Sequence, residues 1–235
     1  MRKILITIMA LFICLNMANL ADAATYSGSC GENANWSFNT DTGELIISGT
    51  GDMANYTNIQ ACGSFVDSTD CVSTAPWGNY STSVTAVSIS DGITSIGDKA
   101  LHNCRFTSLK IPNSVTYIGV AAIKFCTKLT ELTIPEKVTH IGRYAFDNCL
   151  ELASVKFLGT NDPKGTGYIG GKTTFFDDCD KLESVLVRTN YNNDTFCDYP
   201  VQKIIPVATF MFTPKIKVNG KKNSIIASFF IYRHI

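Results

Sequence analysis

The sequence predicts a mostly β repeat solenoid of about five short coils behind an N-terminal β-hairpin cap, and three observations carry that prediction. First, "TSLKIPNSVTYIGVAAIKFCTKL" (residues 107–129) is followed at once by "TELTIPEKVTHIGRYAFDNCLEL" (130–152), with apolar residues, a Pro, an Ile-Gly pair and a Cys at matching places. Second, the pair recurs at Ile96-Gly97, Ile118-Gly119, Ile141-Gly142 and Ile169-Gly170, and cysteine at Cys104, Cys126, Cys149 and Cys179, in steps of 22, 23 and about 28 to 30 residues. Third, Leu132 and Ile134 alternate as in a half-buried strand, Pro135 ends that strand and Gly142 permits a sharp turn, so each step reads as one coil.

In chain order, residues 1–23 read as a secretory signal peptide: Arg2 and Lys3 precede the apolar run "ILITIMALFICL", and Ala21-Asp22-Ala23 supplies a cleavage pattern. The run is shorter than the ~20 residues that span a bilayer, so no transmembrane segment is expected after removal of the signal. Leu11-Phe12-Ile13 before Cys14 lacks the small residues of a lipoprotein signal. Residues 24–80 form the expected cap. Trp36 and Phe38 alternate, Asp41-Thr42-Gly43 supplies a turn, and Leu45 alternates with Ile47, which reads as a hairpin covering the exposed end of the stack. Within the cap, Cys62 and Cys71 in "ACGSFVDSTDCVS" are the candidate disulfide of an exported chain.

Residues 81–200 carry the coils and a closing segment. No coil is stable alone: burying roughly five large apolar side chains yields on the order of 10 kcal/mol, less than the entropy lost on ordering about 22 residues. Stacking strands at about 4.8 Å supplies the missing burial. The four repeated cysteines sit next to Phe146 or its counterparts Leu101, Phe125 and Phe176, inside the stack. Parallel Cα–Cβ vectors about 5 Å apart are wider than the 3.5–4.5 Å between disulfide β-carbons, so a column of buried free thiols is expected at Cys104, Cys126, Cys149 and Cys179.

The unit C-x-x-L-x-x-L-x-I-P-x-x-V-x-x-I-G-x-x-A-F resembles the BspA-like leucine-rich repeat of secreted and surface proteins. The opening "GSCGENANWSFNTDTGELIISGTGDMANY" with the later "APW" resembles the cap preceding such repeats, and "YNNDTFCDYPV" their closing segment. The resemblance covers residues 26–202. It implies a right-handed leucine-rich-repeat stack, a secreted or cell-surface location, and adhesion to an extracellular protein or glycan. The chain departs from the pattern in a fourth repeat stretched by "GTNDPKGTGY", in a first junction one residue short at Arg105-Phe106, and in the tail.

Residues 201–235 are a basic and apolar tail, with 6 Lys plus Arg and no acid, whereas residues 24–200 carry 12 Lys plus Arg against 19 Asp plus Glu. The tail is expected to be a poorly ordered terminus, with adhesion to a membrane surface or a truncated longer protein as the alternatives. A formal net charge of zero points away from nucleic acid.

Chemistry-bearing motifs have plainer explanations. Asp41-Thr42-Gly43 matches an aspartic-protease triplet but occurs once, where a hairpin needs a turn. Gly165 to Gly170 satisfies G-x-G-x-x-G without a helix to follow, so no dinucleotide cofactor is expected. His102, His140 and His234 have no partner at metal-ligand spacing, and Asp177, Asp178 and Asp180 read as a charged solvent-facing turn. Asn35, Asn55, Asn79 and Asn193 each begin an N-x-S/T acceptor pattern, which matters only in a eukaryotic source. No enzyme, cofactor or metal is therefore expected.

What remains is a surface. Residues flanking the buried strand positions form an outward ladder of Ser88, Lys110, Thr133, Lys156 and Leu186, with Ser108, Glu131, Ser154 and Ser184 beside it, about 20–25 Å across. Its hydroxyls and charges suit a protein or glycan partner. The alternative role is structural, through lateral association of copies in an envelope or secreted layer.

Overall fold

The computed structural model describes residues 24–57, 72–164, 168–169 and 172–204. The signal-peptide, Cys62/Cys71 and tail expectations lie outside these residues, apart from Val201–Ile204 at the head of the tail.

The cap is larger than the sequence predicts. Strands β1 (Thr25–Ser29), β2 (Ala34–Asn39) and β3 (Glu44–Gly49) form an antiparallel meander, followed by the short β4 (Gly51–Asp52). Trp36 lies opposite Ile47 and Phe38 opposite Leu45, and the turn between them ends on Gly43 at φ +67°. β1 escaped the sequence reading because every one of its residues is exposed, so it shows no apolar alternation.

Each coil has three sides. The first is a strand: β5 (Ala86–Ile89), β7 (Ser108–Lys110), β9 (Glu131–Ile134), β11 (Ser154–Phe157), β14 (Val185–Arg188) and β16 (Tyr199–Ile204). The second is a strand that ends on the Ile of the Ile-Gly pair: β6 (Ile93–Ile96), β8 (Tyr117–Ile118) and β10 (His140–Ile141), which stack in parallel on β4. In the stretched fourth repeat Lys164 bridges to His140, and the hairpin of β12 (Tyr168–Ile169) and β13 (Lys172–Thr173) follows. β15 (Thr195–Phe196) closes the far end antiparallel to β16.

On the first side β3 pairs in parallel with β5, and β7, β9, β11, β14 and β16 form one parallel ladder. The ladder is interrupted between β5 and β7, where the Arg105-Phe106 junction lacks a residue and β7 keeps only three. Leu109, Ile111, Leu132 and Ile134 are all buried within a core that continues from Cys30 in the cap to Cys197 at the closing end. Each such side chain contributes roughly 2 kcal/mol of apolar burial, which is what makes the coils interdependent.

The third side is built from turns whose backbone N–H groups point along the stack. Lys99, Leu101 and Asn103 donate to the carbonyls of Val120, Ala122 and Lys124 at 2.8–3.0 Å, and Ala121, Ile123 and Phe125 repeat this to Arg143, Ala145 and Asp147. Reaching these acceptors puts two non-glycine residues per coil in the left-handed region: Lys99 and Asn103, Ala121 and Phe125, Tyr144 and Asn148. Each costs about 1 kcal/mol or more, offset by the bonds between coils.

Two expectations need correction. Gly142 is not a turn glycine, because neither it nor Gly97 or Gly119 has a positive φ. An added Cβ would lie 1.8 Å from the Ala54 carbonyl oxygen at Gly97, 2.5 Å from the Asp98 nitrogen at Gly119 and 2.4 Å from the Val120 nitrogen at Gly142, so glycine is needed for backbone contact between coils. The counterpart of Phe146 in the second coil is Ile123 rather than Phe125, since each lies three residues before its cysteine. Phe125 instead occupies the left-handed position held by Asn148 in the next coil.

Candidate functional site

The outer face of the first-side strands brings the expected ladder into register. Lys110 lies beside Thr133, Thr133 beside Lys156, Lys156 beside Leu186 and Leu186 beside Gln202. One pleat away, Ser108 lies beside Glu131 and Glu131 beside Ser154. Ser184 immediately precedes β14 and is half-buried, like Ser154, Lys156 and Leu186, while Ser88, Ser108, Lys110, Glu131 and Thr133 are exposed. The row also continues into the cap, where Ile46 lies beside Ser88, Ser37 beside Ile46 and Ser27 beside Ser37. With β5 packed against β7, the nine strands span about 38 Å at ~4.8 Å each. The cap residues of the row were missed although the inward Trp36 and Phe38 imply an outward Ser37.

Charges on and beside this face divide into paired and unpaired. Arg188 binds Glu136 at 2.7 Å, and Lys181 pairs with Glu151. Lys110, Lys156 and Glu131 make no ion pair with any described residue. The two lysines are thus the unneutralised cations of the row, two strand spacings apart and separated by the Thr133 hydroxyl.

Reactive groups elsewhere are buried and used by the fold. Cys104, Cys126, Cys149 and Cys179 are free and at most 4% exposed, Cys30 is likewise free and buried, and Cys197 is buried. Cys126 Sγ donates to the Leu101 carbonyl (3.1 Å), Cys149 Sγ to that of Ile123 (3.3 Å) and Cys179 Sγ to that of Phe146 (3.2 Å), so each thiol satisfies an oxygen of the preceding coil. Burial pushes the Cys126 thiol up to about 12, holds Cys104 and Cys149 well above the ordinary range, and raises Cys30 to about 11. Such thiols are not nucleophiles at neutral pH.

The third side holds a buried column at the position before each left-handed turn residue: His102, Lys124, Asp147 and the half-buried Asp177. Lys124 Nζ meets Asp147 at 2.7 Å with both side chains about 5% exposed, and it also lies 4.9 Å from the ring centroids of Phe125 and Tyr144. Burial raises Asp147 against the opposing pull of Lys124. His102, edge-on to Phe125, is lowered to about 4, first by burial and then by Lys99 and Lys124. His102, Lys124 and Asp147 are each at most 5% exposed and so are not presented at the surface. Among the described residues no three His, Cys, Asp or Glu side chains could hold a metal ion, and no helix is long and apolar enough to cross a membrane. Asp41 lies in the cap's hairpin turn and His140 bonds Thr139 on the exposed second side, while the start of G-x-G-x-x-G lies outside the described residues.

The model of the BspA type leucine rich repeat region matches residues 79–202, just over half of the chain, in 6 copies. Among solved structures, a leucine-rich repeat protein from Eubacterium ventriosum is 23% identical over 72% of this chain and 46% of its own, with a TM-score of 0.49. One from Bacteroides ovatus is 19% identical over 72% and 50%, with a TM-score of 0.31. This chain therefore spans about half the length of these relatives. Among curated proteins none matches it. With its Ile-Gly and cysteine spacing, its stacked coils and the matched residues all in agreement, the chain belongs to the BspA type leucine-rich repeat family.

Proposed function

We propose that this protein is a secreted or surface-exposed, non-enzymatic binding module that adheres to a host or microbial surface protein or glycan through the outer face of its first-side strands. The observation that carries this reading is the register: Lys110, Thr133, Lys156 and Leu186 lie on one row of a face about 38 Å long, with Ser88 exposed on the neighbouring β5. Its charges are carried by paired strands, so the backbone beneath them needs no ordering on binding. Adhesion and export also fit the family and the apolar leader. The test is capture of extracellular-matrix proteins and mucin glycans by the full chain, repeated with Lys110→Glu and Lys156→Glu. Loss of the captured partner by about tenfold or more is expected, and unchanged capture would move the site off this face.

A structural role by lateral association has one observation in its favour. β1 is a neutral, exposed five-residue edge strand with no Lys, Pro or bulge to discourage pairing, whereas the opposite edge carries Pro200 and the two-residue β15. Mass measured by light scattering against concentration separates the readings, since a steady monomer removes the structural one.

A further inference from the structure

We propose that the partner of the outer face is a linear polysaccharide bearing a carboxylate on alternate sugar units, laid across the strands along the row of Lys110, Thr133 and Lys156. This rests on the reading of that face as the binding surface. Three observations lead to the ligand class.

The first is spacing. Successive positions of the row recur at the strand separation of ~4.8 Å, close to the length one pyranose unit adds to an extended polysaccharide. A polymer crossing the strands therefore stays in step with the coils over its whole length. An extended peptide, whose like-facing side chains recur at about twice its 3.3 Å rise, does not.

The second is charge. Along the row the cations stand on β7 and β11, with Thr133 on the β9 between them. Neither lysine is neutralised by a described residue, whereas Arg188 and Lys181 are. Two cations set two coils apart complement carboxylates set two sugars apart, and the hydroxyl between them suits a neutral, hydrogen-bonding unit.

The third is exclusion. Glu131 is exposed on the same strand and face as Thr133, one pleat away, and makes no ion pair with a described residue. It opposes a carboxylate on the middle unit, so a polymer charged on every sugar meets like charge where the alternating one does not.

The experiment is titration of the full chain, at low salt, with three oligosaccharide probes: alternating glucuronate and N-acetylglucosamine, a uronate homopolymer, and a neutral β-glucan. The alternating probe is expected to bind at least about tenfold more tightly than the neutral one, with the advantage shrinking as salt screens the attraction to the two lysines. Lys110→Gln and Lys156→Gln should each weaken it about five- to tenfold, and Glu131→Gln should strengthen the uronate homopolymer selectively. Equal binding of alternating and neutral probes, no binding of any probe, or indifference to both lysine variants overturns the inference. Thr133→Arg, which blocks the row sterically, separates the two levels. If it abolishes capture of a protein or neutral glycan that the lysine variants leave intact, the polysaccharide is wrong and the face stands. If it too changes nothing, the face itself is refuted.

Discussion

Replacing Gly119 by alanine tests the contact that sets the distance between coils. The new Cβ would lie 2.5 Å from the Asp98 nitrogen and 2.7 Å from the Gly97 carbonyl carbon, both backbone atoms that cannot rotate away. Restoring an ordinary contact of about 3.5 Å moves the coils apart locally by roughly 0.9 Å. The bond from Gly119 N–H to the Ile96 carbonyl (2.8 Å) and that from Val120 N–H to Asp98 Oδ1 (2.7 Å) then stretch to about 3.6 Å and are lost. Two bonds at about 1 kcal/mol each, plus the loosened packing of Ile96 against Ile118 at 1–3 kcal/mol, give a loss of about 3–5 kcal/mol. Urea unfolding followed by tryptophan fluorescence measures it, with Gly51→Ala as the control. Gly51 has open space around the new methyl but a φ of +81°, so only conformational strain of about 1 kcal/mol applies there. A Gly119→Ala loss no larger than that of Gly51→Ala would refute the close-contact account.

Three further outcomes are expected. Lys124→Met alone should cost about 3–5 kcal/mol because it strands Asp147 in the interior, while Lys124→Met with Asp147→Leu should return to within about 1 kcal/mol of the parent; a double-mutant cycle that is additive contradicts this. His102 is held neutral when folded, at about 4 against 6.5 unfolded, so its contribution is complete above pH 6.5 and about 3 kcal/mol of stability is lost as pH falls to 4. His102→Leu should remove that part of the acid sensitivity, and identical pH profiles would show that the imidazole takes up its proton as readily in the fold as in the unfolded chain. Cys104, Cys126 and Cys149 should resist iodoacetamide at pH 8 until the chain is unfolded, as read by mass spectrometry of the labelled peptides; prompt labelling of the native protein would mean that the column is open to solvent.

Much of the fold is legible in the residues because one coil's pattern is local. The alternation of Leu132 and Ile134, the stop at Pro135, the recurring cysteine and the turn at Asp41-Thr42-Gly43 each act within a few positions, and repetition forces copies to stack in register. That register is also why Lys110, Thr133 and Lys156 fall on one row from their spacing in the sequence alone, and why the missing residue at Arg105-Phe106 marks where the ladder breaks.

What tertiary structure alone decided are relations between residues about 22–26 positions apart that no local pattern encodes. Cys126 reads equally well as a small apolar residue until the Leu101 carbonyl is found 3.1 Å from its sulfur. Gly119 looks like a turn until the neighbouring backbone is seen against it, and Lys124 and Asp147 look like variable positions until the coils bring them to 2.7 Å. β1, exposed throughout, has no hydrophobic signature, yet it lengthens the outer face. A sequence specifies which side chains turn inward; which donor meets which acceptor depends on the offset and spacing of successive coils, and these emerge only once the stack has closed.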